Sequence, residues 1–468
     1  MKRSPWTCLA VPTAAITLTL ASIVHAAPTT VPAPAVPPPS PTVPVATLAN
    51  PPPSPPPRPE GTLQLADAVR LAMSRNERAK IAEFQADVAD AAVERARTAF
   101  FPTLVTSAND TIKPNEPTRA GASAPPNQIG GWNTTLAQPL LNASAWPLLR
   151  QAQRLFDAQR ATSDDAKRIL EFDAANAFFT ALSQEEALEA AQRRVDLAKA
   201  NLADTQAQVD AQLASVNDAT RASVDLASAQ QQLETTIGQV NRAYFALGFL
   251  MNEPVTGPLS QPTATLQAAI VPVNNAETLV GIAEQKRLDL IASKHSARAA
   301  ELFASEPMLR LIPTVGISAN LTGTTNTDVT GRWNDESVVA TATWTVFDAG
   351  VRYADKHSRD ASASIAALQL DTLVRSVAND VRTASALLAA SQAALRSAEG
   401  GVTAARQSVD ETEILYKQGL AKAIELVDAN NSRFLAETSY AAAQFAVAEA
   451  YLALRQAMGL EPIGTELR

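Results

Sequence analysis

Pro313-Thr314-Val315-Gly316-Ile317-Ser318-Ala319-Asn320-Leu321-Thr322-Gly323 sets an apolar side chain at alternate positions, Val315, Ile317, Ala319 and Leu321. The residues between them, Thr314, Gly316, Ser318, Asn320 and Thr322, are small or polar, so the run reads as a strand with two unlike faces. A second run at about 336–347 alternates Val338, Ala340, Ala342, Trp344 and Val346 with Val339, Thr341, Thr343 and Thr345. Weaker copies fall earlier, at about 102–112 and 132–140, where Trp132, Thr134 and Leu136 face away from Asn133 and Thr135. Strands of this length and pattern suit a transmembrane β-barrel, and the same alternation also suits a half-buried soluble sheet. Counting them is decisive. Four strands cannot close around a lumen, since the smallest membrane barrels have about eight. An open sheet edge in lipid leaves backbone groups unpaired at several kcal/mol each. If these strands lie in a membrane, several chains share one barrel, and three chains give twelve strands.

Outward from the strands the text is helical. No Gly or Pro occurs from Leu148 to Asp210, or from Val351 to Glu399, and Ala-rich sequence there carries Leu, Val and Phe at spacings of three and four. The first stretch alone would run roughly 90 Å as one helix at 1.5 Å per residue. Helices of that size belong to coiled coils or α-barrels. The chain also repeats itself. Phe101-Pro102-Thr103-Leu104 returns as Ile312-Pro313-Thr314-Val315, with Ala72, Arg75 and Asn76 matching Ala283, Lys286 and Arg287. Leu140-Leu141-Asn142-Ala143-Ser144 returns as Val346-Phe347-Asp348-Ala349-Gly350. Each half reads helix, strand, loop, strand, very long helix, turn, helix, which a duplication explains. The expected first repeat is 62–265 and the second 266–461, with 462–468 a C-terminal tail.

The N-terminus bears on compartment. Lys2 and Arg3 precede an apolar stretch from Leu9 to Val24, and Val24-His25-Ala26 supplies small residues for cleavage, so 1–26 reads as a secretory signal peptide. Its loss removes two basic residues and no acid, which takes the net charge from −8 to −10. Cys8, the single cysteine, goes with it, leaving no thiol chemistry. The next segment, 27–61, holds fifteen of the thirty-one prolines and reads as an extended tether. Nothing after it approaches the apolar run of a spanning helix. No basic run suggests a nucleic-acid partner.

The sequence offers no enzymatic constellation and implies no cofactor or metal. His295 and His357, the only histidines after the signal, have no second ligand at a metal-binding spacing and read as solvated helix residues. Trp132 and Trp344, in the strands, are candidates for aromatic girdles at a lipid interface.

Taken in order, these landmarks resemble the TolC family of outer-membrane efflux proteins over about 62–460. Leu65-Ala66-Asp67-Ala68-Val69-Arg70-Leu71-Ala72 resembles the opening helix of its first repeat. Trp344-Thr345-Val346-Phe347-Asp348-Ala349-Gly350 resembles its strand-to-helix passage. Tyr416-Lys417-Gln418-Gly419, Leu426, Asp428-Ala429, Tyr451 and Met458-Gly459-Leu460 resemble its closing helix pair. Departures are local: Glu77 and Leu288 stand where the family usually has Pro, Asn142 and Ser144 replace Asp and Gly, and Gln212 replaces a tip Gly.

The resemblance implies a mainly α fold with a small β part. A long periplasmic α-barrel would continue into a β-barrel of which each subunit supplies four strands. It implies an outer-membrane location in a Gram-negative bacterium and a homotrimer. It further implies a passive export duct for efflux or type I secretion that meets a periplasmic adaptor and an inner-membrane efflux pump or ABC transporter. It also places the turns between long and short helices at a periplasmic tip that closes when idle. There Glu425 and Asp428, three apart and so on one helix face, match the family's acidic entrance constriction, with Asp218 the first-half equivalent of Glu425. Three copies of such a pair would ring the axis with carboxylates that favour cations over anions. The dipole-complementing role of acids early in a helix is the other reading of all three. Competing readings of the whole chain are a periplasmic adaptor and a structural coiled coil without a pore. An adaptor would show one helical hairpin between compact β-domains, against the two hairpins and four strands here.

Overall fold

A computed structural model of the chain describes residues 63–112, 128–272, 275–325 and 332–464. The expected signal peptide and nearly all of the tether lie outside the described residues. Residues from Glu60 onward form one compact unit.

The first repeat opens with α1 (Leu65–Arg75) and α2 (Glu77–Arg97), followed by strands β1 (Thr103–Ile112) and β2 (Gln128–Leu141). It continues into α3 (Ala145–Asp210, 66 residues) and returns through α4 (Val216–Met251). A short helix, α5 (Thr263–Ile270), leads to the second repeat. That repeat runs through α6 (Ala276–Lys286), α7 (Leu288–Leu309), β3 (Thr314–Thr324), β4 (Asn334–Thr343), α8 (Val351–Lys417, 67 residues) and α9 (Ala423–Ala457). The order of elements is the same in both halves.

Four details depart from the sequence reading. Each opening helix is split in two. At Asn76 and Arg287 the backbone is extended (ψ 135° and 119°), and the Asn76 side chain caps α2 by accepting the Arg78 N–H. Glu77 and Leu288 are thus first helical residues, the position where a proline is best tolerated, so its replacement leaves the break intact. Strand β2 begins at Gln128, four residues before the expected start. Strand β4 stops at Thr343, so Trp344 lies beyond it. The partner of Thr343 is Thr314, and Pro313 before it has no N–H with which to extend the ladder. Finally, α8 passes unbroken through Gly400-Gly401 to Lys417, well beyond Glu399.

The sheet is antiparallel in the order β1-β2-β3-β4, so β1 and β4 are its edges. Register carries one set of side chains to each face. Leu104 lies opposite Leu136, Leu136 opposite Ala319, and Ala319 opposite Val338. On the other face Thr135 lies opposite Asn320, and Asn320 opposite Ser337, with the Thr135 hydroxyl donating to the Asn320 side chain at 2.9 Å. Apolar and polar faces therefore run across all four strands. Pro139 disturbs the register of β2, where the ladder shifts by a bulge between Pro139 and Leu141.

Long helices pair as coiled coils. Buried positions on α8 recur every seven residues at Val381, Leu388, Leu395, Val402 and Val409, and on α4 at Ala222, Ala229 and Thr236. A seven-residue seam keeps two helices in contact over their length. Midway along, two apolar clusters thicken the wall. One packs Ala68, Val69 and Ala72 of α1 against Phe172, Phe178 and Phe179 of α3. The other packs Leu279, Val280 and Ala283 of α6 against Val377 and Val381 of α8. Equivalent residues of the two repeats thus build equivalent clusters.

Candidate functional site

The turns α3–α4 and α8–α9 are built alike. In the first, Gln212 N–H donates to Val209 O and Leu213 N–H to Gln208 O; in the second, Gly419 N–H donates to Tyr416 O and Leu420 N–H to Leu415 O. Gln212 and Gly419 occupy the left-handed region at φ 61° and 71°. The turn thus needs a positive φ, and the first repeat sets a glutamine there at some strain. Leu213 and Leu420, next in each turn, project from the apex with 81% and 73% of their surface exposed.

Asp218 and Glu425 are the third residues of α4 and α9, but their surroundings differ. Ser215 caps α4 by accepting the Asn217 N–H, and the Asp218 carboxylate accepts the Ser215 N–H at 3.3 Å, completing a capping box. The carboxylate of Asp218 is therefore engaged by its own helix. On α9 the cap residue is Lys422 and no side chain caps the helix. Glu425 and Asp428 are exposed one turn apart, with Leu426 and Ala429 buried behind them. Arg221 holds the place of Asp428 in the first repeat, so an acidic pair exists only in the second.

Tyr416, on the last turn of α8, was quoted above only as part of a motif, and its partners lie in the other hairpin. Its hydroxyl donates to Gln208 Oε1 at 3.1 Å and lies 3.5 Å from the Thr205 hydroxyl, so it ties α8 to α3 beside the tips. Sequence separations of 208 and 211 residues hide such a contact from any local pattern, and only the offset between the repeats could have suggested it. At the sheet, Trp132 and Trp344 stand at opposite ends. Trp132 lies opposite Gly323, while Trp344 follows the last residue of β4 and donates its indole N–H to Leu311 O at 3.0 Å. His295 is half-buried with Nδ1 at 3.7 Å from Asp157. Among the described residues no group of three or more His, Cys, Asp or Glu is placed to hold a metal ion, and no helix is long and apolar enough to cross a membrane.

The profile of the outer membrane efflux protein family matches residues 68–253 and 279–460, one block per structural repeat. The chain belongs to the outer membrane efflux protein family. Outer membrane protein TolC of Vibrio cholerae serotype O1 is 22% identical over 388 residues, spanning 80% of this chain and 86% of that one. The fold is similar to that of the open-state MtrE outer membrane channel of Neisseria gonorrhoeae, with a TM-score of 0.71 at 20% identity over 85% of this chain and 90% of that one. It is also similar to the outer membrane protein VceC of Vibrio cholerae, with a TM-score of 0.68 at 16% identity over 85% and 96%. As a member of the outer membrane efflux protein family, the chain is an efflux-channel subunit of the Gram-negative outer membrane. Its two repeated hairpins set aside the adaptor and the pore-less coiled coil.

Proposed function

We propose that three copies of this chain close a single twelve-stranded barrel and form a passive export duct with an acidic gate at its periplasmic tip. The observation that carries the reading is the four-stranded sheet with two free edges, β1 and β4, an apolar face and a hydroxyl-and-amide face. A sheet of this kind is stable in lipid only when its edges are paired, and β1 of one copy against β4 of the next pairs every edge. The polar face then lines the lumen, and Trp132 and Trp344 meet the two lipid interfaces. Below the membrane, Glu425 and Asp428 of the three copies gather at the tip, where a ring of carboxylates favours cations and disfavours anions. The exposed apex residues Leu213 and Leu420 offer apolar contact to a periplasmic adaptor. The adaptor and an inner-membrane efflux pump or ABC transporter draw the tips apart and supply the energy.

Two measurements test this. The assembly extracted from outer membranes in mild detergent should have three times the protein mass of the mature chain, and a monomer would end the shared-barrel reading. In planar bilayers the wild type should prefer cations, and the double variant E425Q/D428N should lose most of that preference. Unchanged selectivity would remove the acidic ring from the entrance.

A further inference from the structure

The glycines of α8 raise a question the duct reading does not answer. Gly400 and Gly401 sit side by side inside this 67-residue helix, about 26 Å above its lower end at 1.5 Å per residue. Both are exposed, and a Cβ added to either would meet nothing within 4 Å. Neither has a positive φ. Within the chain, therefore, no close approach or turn requires a glycine, yet glycine is the poorest helix former after proline. Helices α3 and α9 have no glycine at all, and α4 has single ones at Gly238 and Gly248.

The tip turns superpose at a constant offset of 207 residues, taken from Gln212 and Gly419. Carried along the unbroken helices, that offset sets Gly400-Gly401 against Arg193-Arg194 of α3. Those two arginines are heavily engaged. Arg193 lies 3.7 Å from the Glu437 carboxylate of α9, and the Arg194 guanidinium lies 5.0 Å from the Phe434 ring and 3.5 Å from Asp225 of α4. Glu437 also accepts from Arg406 of α8 and Arg433 of α9, each at 3.2 Å, with its side chain only 9% exposed. One carboxylate thus pins α3, α8 and α9 at the level where α8 is weakest. A cavity of about 310 Å³ opens beside the same level, lined by Glu399, Val402, Thr403, Arg406 and Glu437 among others. It leaves α8 room to bend. Above this level α8 is fixed, because Gln392 donates to the carbonyls of Ala269 and Val271 at 2.8 and 3.2 Å.

We infer that Gly400-Gly401 is a hinge in α8, with the Glu437 arginine cluster as its pivot, about which the lower part of the second hairpin swings while the first hairpin stays put. The inference rests on the tip being the gate. It adds where the moving part begins and why only one of two similar hairpins moves. The two glycines are positioning residues and touch no cargo.

The test uses the intact assembly in detergent and in planar bilayers. Amide exchange at Gly400–Val402 should be roughly tenfold or more faster than at Arg193–Val195, and the variant G400A/G401A should abolish the difference. The same variant should open less often, with the conductance of each opening unchanged. Slow exchange at Gly400–Val402 in the wild type would mean that a neighbouring copy packs over the glycines, and would overturn the hinge. Fast exchange with unchanged opening in G400A/G401A would overturn its part in gating. Selectivity of E425Q/D428N is read separately, so the acidic ring can fail while the hinge stands.

Discussion

Gly323 shows how much one missing side chain can fix. A Cβ there would lie 2.2 Å from the indole nitrogen of Trp132, so the ring covers the glycine across the β2–β3 pair. Gly323→Ala should destabilise the assembly by about 1–3 kcal/mol through overpacking, with a shift in Trp emission. Adding Trp132→Ala should cancel much of that cost, which a double-mutant cycle on thermal unfolding would measure. A charge argument of the same scale concerns Glu449 on α9. Burial raises its pKa, against the Thr180 hydroxyl that donates to it. A carboxyl whose folded pKa exceeds its unfolded one contributes stability at low pH, and that contribution is lost as pH rises through the folded value. Glu449→Gln should therefore raise Tm at neutral pH and flatten the decline between acid and neutral conditions. An unchanged pH profile would show that water reaches the group freely.

Among the elements, the strands and long helices were legible because each repeats one simple period, two for a strand and seven for a coiled-coil seam. Where the reading slipped, a competing local rule had won. Asn76 capped a new helix within what looked like one. Pro313 ended the ladder before Trp344. At Gly400-Gly401, coiled-coil packing at Val402 and Val409 carried α8 across a pair of glycines that would stop an isolated helix. The acidic pair Glu425 and Asp428 could be located from sequence, but the engagement of Asp218 by Ser215 could not, since it depends on the φ and ψ of one turn. Tyr416 belongs to this scale as well. It is the side-chain link between α8 and α3 nearest the tips. Removing its hydroxyl in Tyr416→Phe forfeits a hydrogen bond of about 0.5–1.5 kcal/mol, a shift of a fewfold in any equilibrium that separates the hairpins. Bilayer recordings should show correspondingly more frequent opening, and no change would mean that the hairpins part elsewhere.

Across the whole molecule, duplication gave two near-identical hairpins and then let them diverge. The first kept a capping box, an arginine pair and a strained glutamine at its turn. The second gained a carboxylate pair, a glycine pair and a glycine at its turn. Each difference makes the first hairpin more constrained and the second freer, as suits a fixed wall with a moving leaf. None of this was visible from composition, which is alike in both halves. It emerges only when residues are compared at equal height above the tips.

The free edges of the sheet carry a genetic consequence. Because β1 and β4 find no partner in their own chain, a copy with a ruined β4 still offers an intact β1, and so can enter an assembly and leave it unsealed. One bad copy disables two good ones. Such an allele should act dominantly: co-expressed with the wild type, it should lower export by more than its share of the chains, as cargo efflux from mixed-expression cells would reveal. Damage to a single-chain barrel would not behave in this way.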